Sequence, residues 1–175
     1  FAGRPLKVSD RLEFQIHQFL YFLPAEAFDA DFLLHFLENY HRHAEHITRH
    51  FSAKGNHLLF EAQRLVFAGV FFPEFRDADR WRGTGVGILN REIGEQVYDD
   101  GMQYELDLHY HHESIGIFFK ALQMMDANGY RGDFPAEYLA TVERMIEAYI
   151  DCSFPDYTTP LFSDNRFREK EELMP

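Results

Sequence analysis

Apolar residues recur along most of this chain at the three- and four-residue steps of amphipathic helices. One such stripe between Asp31 and Phe51 consists of Leu33, Leu37, Tyr40, Ala44, Ile47 and Phe51. Residues 58–72 are apolar on nearly every face and stop at Pro73, which predicts a helix packed on all sides. No segment alternates convincingly with the two-residue period of a strand, so the sequence predicts an all-α fold.

Four further helices are predicted from the same period and from proline and glycine boundaries. They span about residues 10–22, 81–97, 109–125 and 135–149. The segment 81–97 is the weakest of them, because four glycines between 83 and 94 lower its helix propensity. Pro135 opens the last helix and Pro155 lies just beyond it.

The spacing of the helices predicts an architecture. Short connections make sequential helices antiparallel neighbours, so the starts near residues 57 and 109, with one helix between them, are expected at the same end of a stack. The fully apolar third helix suits an inner ring, and the amphipathic fourth and sixth suit an outer ring. The sequence therefore predicts antiparallel helical hairpins forming an arc of an incomplete α/α toroid, with residues 1–175 as a single partial domain.

The charge distribution narrows the range of ligands. A formal net charge of −12 argues against a general nucleic-acid binder, whose affinity comes largely from neutralising phosphates. Segment 41–57, here called the basic strip, has three basic residues and one acidic residue, a net charge of +2 before its five histidines are counted: Arg42, Arg49, Lys54 and Glu45. The strip either binds an anionic ligand or is a solvated helix face.

Membrane and disulfide features are not expected. No run reaches the roughly 18 apolar residues of a membrane span, and the amino end lacks the continuous apolar core of a signal peptide. The single cysteine excludes an internal disulfide framework. The sequence predicts a soluble chain without a membrane partner.

Two polar clusters head helices that are otherwise apolar. Asn56 and His57 precede the apolar run of the third helix, and Tyr110, His111 and His112 begin the fifth. An alternative role for Asn56 is to cap its helix, because asparagine accepts a hydrogen bond from a first-turn amide. An alternative for Tyr110 is a core position with its hydroxyl hydrogen-bonded.

Three stretches carry a family resemblance: GNHLLFEAQRLVFAGVFFPEF, DGMQYELDLHYHHESI and FPDYTTPLFSDN. Together they closely resemble heparinase III-type heparan-sulfate lyases of the heparinase II/III and alginate lyase superfamily. The likeness extends from about Asp31 to Asn165. The resemblance implies a central fragment of a periplasmic bacterial polysaccharide lyase. Such enzymes close an α/α toroid and add a carboxy-terminal β-sandwich, and neither is complete in this chain.

The residue types suit that chemistry. A uronate lyase removes the C5 proton and expels the C4 oxygen, so donors must stabilise charge growing on the carboxylate, as in an oxyanion hole. The resemblance assigns Asn56 to neutralising the carboxylate and Tyr110 to the catalytic base and acid; His57 can donate as well. A free phenol has a pKa of about 10, so Tyr110 needs positive charge nearby, for which His111, His112 and the basic strip are candidates.

Four more residues are predicted to contact substrate: His111, Gln103, Glu105 and Glu61. Gln103 and Glu105 lie in the loop before the fifth helix, where they would bind sugar hydroxyls, orient Tyr110 or simply form loop surface. Glu61 would fix the tautomer of His57 or form a buried hydrogen bond. A second acid/base residue, commonly a histidine in this family, is expected outside this chain.

Three histidines of the basic strip lie at helical spacings that would suit a metal ion: His43, His46 and His50. No cysteine accompanies them and no loop closes a fourth ligand, so we predict no metal site and no cofactor in this fragment.

Other functions remain open at this stage. Within the enzymes the rival is an alginate lyase, because it shares the Asn-His and Tyr pattern. The alternatives from other classes are a non-catalytic carbohydrate-binding fragment and an α-solenoid interaction module.

Overall fold

The computed structural model describes residues 3–163, which fold into six α-helices and a short 3-10 helix, Arg131–Asp133. The α-helices are α1 (Pro5–Phe22), α2 (Ala30–Arg49), α3 (Gly55–Phe71), α4 (Ala78–Gln96), α5 (Leu108–Ala127) and α6 (Ala136–Asp151). The strand-type pairing in this range is an isolated bridge between Val97 and Gln103. The predicted all-α class is confirmed. Over the same range, no helix combines the length and apolarity needed to cross a bilayer.

Local signals explain where the helices begin. Asp29 caps α2 by accepting a hydrogen bond from the Phe32 backbone N–H at 2.9 Å. Helix α1 begins at Pro5 rather than near Asp10, because proline suits the first helical position. The last two residues of the FPDYTTPLFSDN stretch, Asp164 and Asn165, lie outside the described residues.

The chain divides into two compact units, of which the first is Phe1–Leu89. In this unit α1 packs on α2 and α3. The fully buried Tyr40 of α2 donates its hydroxyl to the Leu12 carbonyl of α1 at 3.2 Å. Arg64 of α3 is also buried and contacts Asp10 at 2.9 Å and Glu13 at 3.0 Å, both on α1. These bonds fix α3, and with it the start of that helix, against α1.

Several of the 19 phenylalanines pack together in the first unit. Phe19 lies with its ring centroid 5.3–6.1 Å from those of Phe28, Phe36, Phe71 and Phe72. Aromatic pairs of this kind add about 0.5–1.5 kcal/mol beyond the burial of their area. The cluster holds the carboxyl-terminal end of α3, while the polar residues of interest occupy its amino-terminal end.

The second unit is Asn90–Pro175, in which α5 packs on α6. The buried Tyr138 of α6 donates its hydroxyl to the Phe118 carbonyl of α5 at 3.2 Å. The loop before α5 also approaches α6 closely: a Cβ added at Gly101 would lie 2.3 Å from the Arg144 carbonyl oxygen. Loop and helix start are thereby held on α6.

Candidate functional site

Helix α3 starts with a glycine in the left-handed region. Gly55 has a φ of 74°, which residues with a Cβ rarely adopt. Lys54, the N-cap residue, is extended and makes no side-chain capping hydrogen bond. Asn56 is therefore the second residue of α3 and not its N-cap, so the interpretation of Asn56 as a cap is wrong.

Asn56 and His57 are adjacent but differ in exposure. Asn56 is 8 % exposed, whereas His57 is exposed. Both lie in the first turn of α3, where the backbone carries partial positive charge. An amide and an imidazole at such a place can donate hydrogen bonds to an anionic group.

Glu61 stabilises the backbone that precedes α3. Its carboxylate is fully buried and accepts two hydrogen bonds from Ser52, one from the backbone N–H and one from the hydroxyl, both at 2.7 Å. Burial raises the pKa of the Glu61 carboxyl, while the Ser52 bonds and the charges of His57 and Arg64 oppose that rise. Of its predicted roles, the structure supports the buried hydrogen bond and not a substrate contact.

Helix α5 begins with a side-chain cap that the sequence analysis did not identify. Asp107 is 1 % exposed, and its Oδ1 accepts from the backbone N–H groups of His109 at 2.8 Å and Tyr110 at 3.1 Å. The signal was available, because aspartate directly before an apolar helical run is a preferred N-cap. Tyr110 is half-buried in the first turn, with its ring centroid 5.3 Å from that of His109.

His111 is a neutral structural histidine. It is fully buried; its Nδ1 accepts from the Gln103 backbone N–H at 3.1 Å, and its Nε2 donates to the Met145 carbonyl at 2.8 Å. Burial lowers its pKa, and the bond to Met145 only partly opposes this. The prediction that His111 binds substrate and supplies charge to Tyr110 is corrected here, because both ring nitrogens are occupied by backbone groups.

Gln103 and Glu105 belong to the same bonded loop. Gln103 is fully buried; its side-chain amide donates to Gln96 Oε1 at 3.4 Å, and its Oε1 accepts from the Glu105 backbone N–H at 2.9 Å. Gln103 thus supports the loop and, through His111, the start of α5, rather than meeting sugar hydroxyls. The side chain of Glu105 is half-buried, and its contact with sugar stays a prediction.

Of the three histidines considered for a metal ion, His43 is buried, whereas His46 and His50 stack on each other. His43 is 5 % exposed and lies against Arg11 at 3.5 Å and Gln15 at 3.2 Å. Burial, together with the charges of Arg11 and His46, lowers the pKa of His43 to about 4. The rings of His46 and His50 stack with centroids 4.5 Å apart. His43 is therefore an internal, neutral residue of the first unit.

A different group in residues 3–163 has the geometry of a metal site. His41, Glu45 and Asp77 each offer a ligand atom, all within 4.8 Å of one another. Arg80 contacts both carboxylates, at 2.8 Å for Asp77, and the Trp81 indole N–H donates to Glu45 at 2.8 Å. Because these donors already neutralise the carboxylates, the group is an ion-pair network that fixes α2 against the start of α4.

The chain matches a known family over its whole length. The family model described as "Heparinase II/III N-terminus" matches residues 1–175. A protein of Bacteroides stercoris named "Heparin-sulfate lyase" is 56 % identical over 174 residues, which are 99 % of this chain and 26 % of that protein. A protein of the same name from Pedobacter heparinus is 48 % identical over 174 residues, again 99 % and 26 %.

Solved structures show the same fold. The structure titled "Heparinase III-BT4657 gene product" superposes with a TM-score of 0.89 at 58 % identity, over 99 % of this chain and 27 % of the other. The heparan sulfate lyase HepC from Pedobacter heparinus gives a TM-score of 0.83 at 48 % identity, over 97 % and 27 %. The chain thus spans about a quarter of the length of the relatives it matches.

Proposed function

This chain belongs to the heparinase II/III family, and from that premise we propose that it is part of a polysaccharide lyase that cleaves heparan sulfate. Relatives named heparin-sulfate lyase and heparan sulfate lyase support this substrate. The reaction is a β-elimination at a uronic acid: the C5–H and C4–O bonds break and a C4–C5 double bond forms. In this proposal the chain is an arc of an α/α toroid within a longer enzyme.

The proposal is carried by one observation: a chain that matches this family over its whole length has Asn56 and Tyr110 each in the first turn of a helix. Asn56 and His57 donate hydrogen bonds to the uronate carboxylate, and the α3 N-terminus adds partial positive charge. Losing one such donor typically costs about 3–4 kcal/mol of transition-state stabilisation.

Tyr110 performs the proton transfers in this proposal. Its phenolate takes the C5 proton, and the resulting phenol returns a proton to the leaving C4 oxygen. The neutral His111 supplies no charge to favour the phenolate. The positive potential beside Tyr110 comes instead from the amino-terminal end of α5, and the His109 ring lies adjacent to Tyr110.

The basic strip supports an anionic polysaccharide as the partner of this chain. One of its cations, Arg49, is already paired with Glu45 at 3.0 Å. Lys54 and His57 are exposed beside Asn56 and are the groups of the strip best placed to meet sulfate or carboxylate. A periplasmic location is proposed from family resemblance alone.

The test is ultraviolet absorbance of the new C4–C5 double bond. The full-length protein carrying this sequence and its Tyr110→Phe variant are each given heparan sulfate, heparin and alginate. Absorbance that grows on heparan sulfate and is lost in the variant is the expected result. Growth on alginate alone would keep the mechanism and change the substrate, and no growth on any of the three would favour a carbohydrate-binding fragment.

A further inference from the structure

Leu106, in the loop before α5, has an unusual backbone conformation and an unusual exposure for leucine. Its φ is 54°, in the left-handed region, and the residue is 56 % exposed. Within residues 3–163, the other non-glycine residues with positive φ are Tyr157 and Ser163. A leucine in this conformation is strained, because its Cβ lies too close to the following carbonyl oxygen.

Hydrogen bonds on both sides of Leu106 impose the conformation. The Leu106 backbone N–H donates to the Gln103 carbonyl at 3.0 Å, and the Gln103 side chain accepts from the Glu105 N–H. On the other side, Asp107 caps α5. These bonds explain the backbone but not the leucine, since glycine would adopt the same φ without strain.

Local packing does not explain the leucine either. An apolar residue directly before an N-cap often packs on the fourth residue of the helix as a hydrophobic staple. That fourth residue is His111, whose ring nitrogens are held by Gln103 and Met145, and Leu106 remains more than half exposed. A strained, exposed apolar residue on a rigid loop points to a functional contact.

We propose that Leu106 is a substrate-contact residue, whose side chain packs on the C–H-bearing face of a pyranose ring of the bound polysaccharide. The inference rests on the proposed function, because it takes its ligand from the substrate of Tyr110, four residues further along the chain. The loop is fixed by buried Gln103 and by the close approach of Gly101 to α6, so Leu106 is presented on a rigid support.

Three substitutions separate a ligand contact from a structural role. Leu106→Gly removes both the strain and the side chain, Leu106→Asn keeps a side chain of similar size that tolerates this φ but is polar, and Leu106→Met keeps an apolar side chain. Each is made in the full-length protein carrying the Tyr110→Phe substitution. Calorimetry then measures binding to a size-defined heparan sulfate oligosaccharide, and a thermal melt gives Tm.

The Gly and Asn variants are expected to keep or raise Tm. They should bind the oligosaccharide about tenfold more weakly, because each loses roughly one buried leucine contact. Leu106→Met is expected to bind within about twofold of the parent. Unchanged affinity in the Gly and Asn variants overturns the inference, and so does a lowered Tm with affinity lost equally in all three. Binding is measured in the Tyr110→Phe background, without turnover. If that parent binds the oligosaccharide but the protein with Tyr110 intact shows no lyase activity, the proposed reaction is removed and this inference stands. No binding at all would remove both.

Discussion

At the scale of single residues, the two most buried histidines in the described part of the chain are both neutral because of what surrounds them. His111 lies between two backbone groups, and His43 lies between a guanidinium and an amide. Burial lowers the pKa of each ring, and for His43 Arg11 lowers it further. The neutral forms therefore stabilise each unit from within, which distinguishes these histidines from the exposed His57.

This neutrality predicts how stability depends on pH. Above about pH 6.5 His43 is uncharged in both states. As pH falls below that value the unfolded chain binds a proton that folded His43, with a pKa of about 4, does not bind. Stability should then fall by up to about 1.4 kcal/mol per pH unit for this residue. Urea unfolding of the 175-residue chain between pH 7 and pH 5 measures it.

The comparison for that measurement is the same chain without the His43 imidazole. His43→Gln should reduce the pH dependence of the unfolding free energy between pH 7 and pH 5. Equal slopes in the wild type and the His43→Gln variant would contradict the assignment of His43 as a buried neutral group.

At the scale of elements, the helices with a clear apolar period were predictable from sequence, and the polar contacts that join them were not. The stripe of α2 and the apolar run of α3 gave bounds close to those observed, because burial of one helix face dictates the period. Gln103 lies in a polar loop, so nothing in the pattern indicated that it is fully buried. The interpretation of Asn56 as an N-cap is wrong because Gly55, with its positive φ, begins the helix one residue earlier.

The cap on α5 gives an element-scale prediction. Asp107→Ala removes the acceptor for two first-turn N–H groups, including that of Tyr110, and should lower the free energy of unfolding by about 1 kcal/mol. Asp107→Asn retains an acceptor oxygen at the same place and should cost less. Chemical denaturation of both variants measures the difference. Equal losses would mean that the charge of Asp107, rather than its capping bonds, supports the helix.

The loop before α5 approaches α6 closely, and this approach gives a second prediction at the scale of elements. Gly101 has a φ of 88°, and an added Cβ would lie 2.3 Å from the Arg144 carbonyl oxygen. Gly101→Ala should therefore destabilise the chain by at least about 1–2 kcal/mol from backbone strain alone. Gly87→Ala on α4 is the matched control, because its Cβ would enter open space and should stabilise the helix by roughly 0.5–1 kcal/mol. Similar Tm changes of one sign in both variants would contradict this account.

At the scale of the whole molecule, an acidic chain is proposed to act on an acidic polysaccharide, so the distribution of charge matters more than its sum. The net charge of −12 of this chain does not favour such a substrate at long range, where salt screens the effect. Within the chain, the groups proposed to attract it are exposed Lys54 and His57, and the amino-terminal ends of α3 and α5. Sequence composition alone did not separate these groups from the paired ones, since Arg49 and Arg80 share Glu45.

Asn56 and Tyr110 are both proposed to act on the substrate uronate, and kinetics can test whether the two act together. Asn56→Ala and Tyr110→Phe should each lower kcat on heparan sulfate by about 10²–10³-fold, because each removes a group that acts in the transition state. If both act on the same uronate, the double variant should be little worse than the more impaired single variant. Losses that multiply, with unchanged Tm, would show that the two residues act independently. The measurement is the double-bond absorbance at saturating substrate, with the far-ultraviolet circular dichroism of each variant as the control for folding.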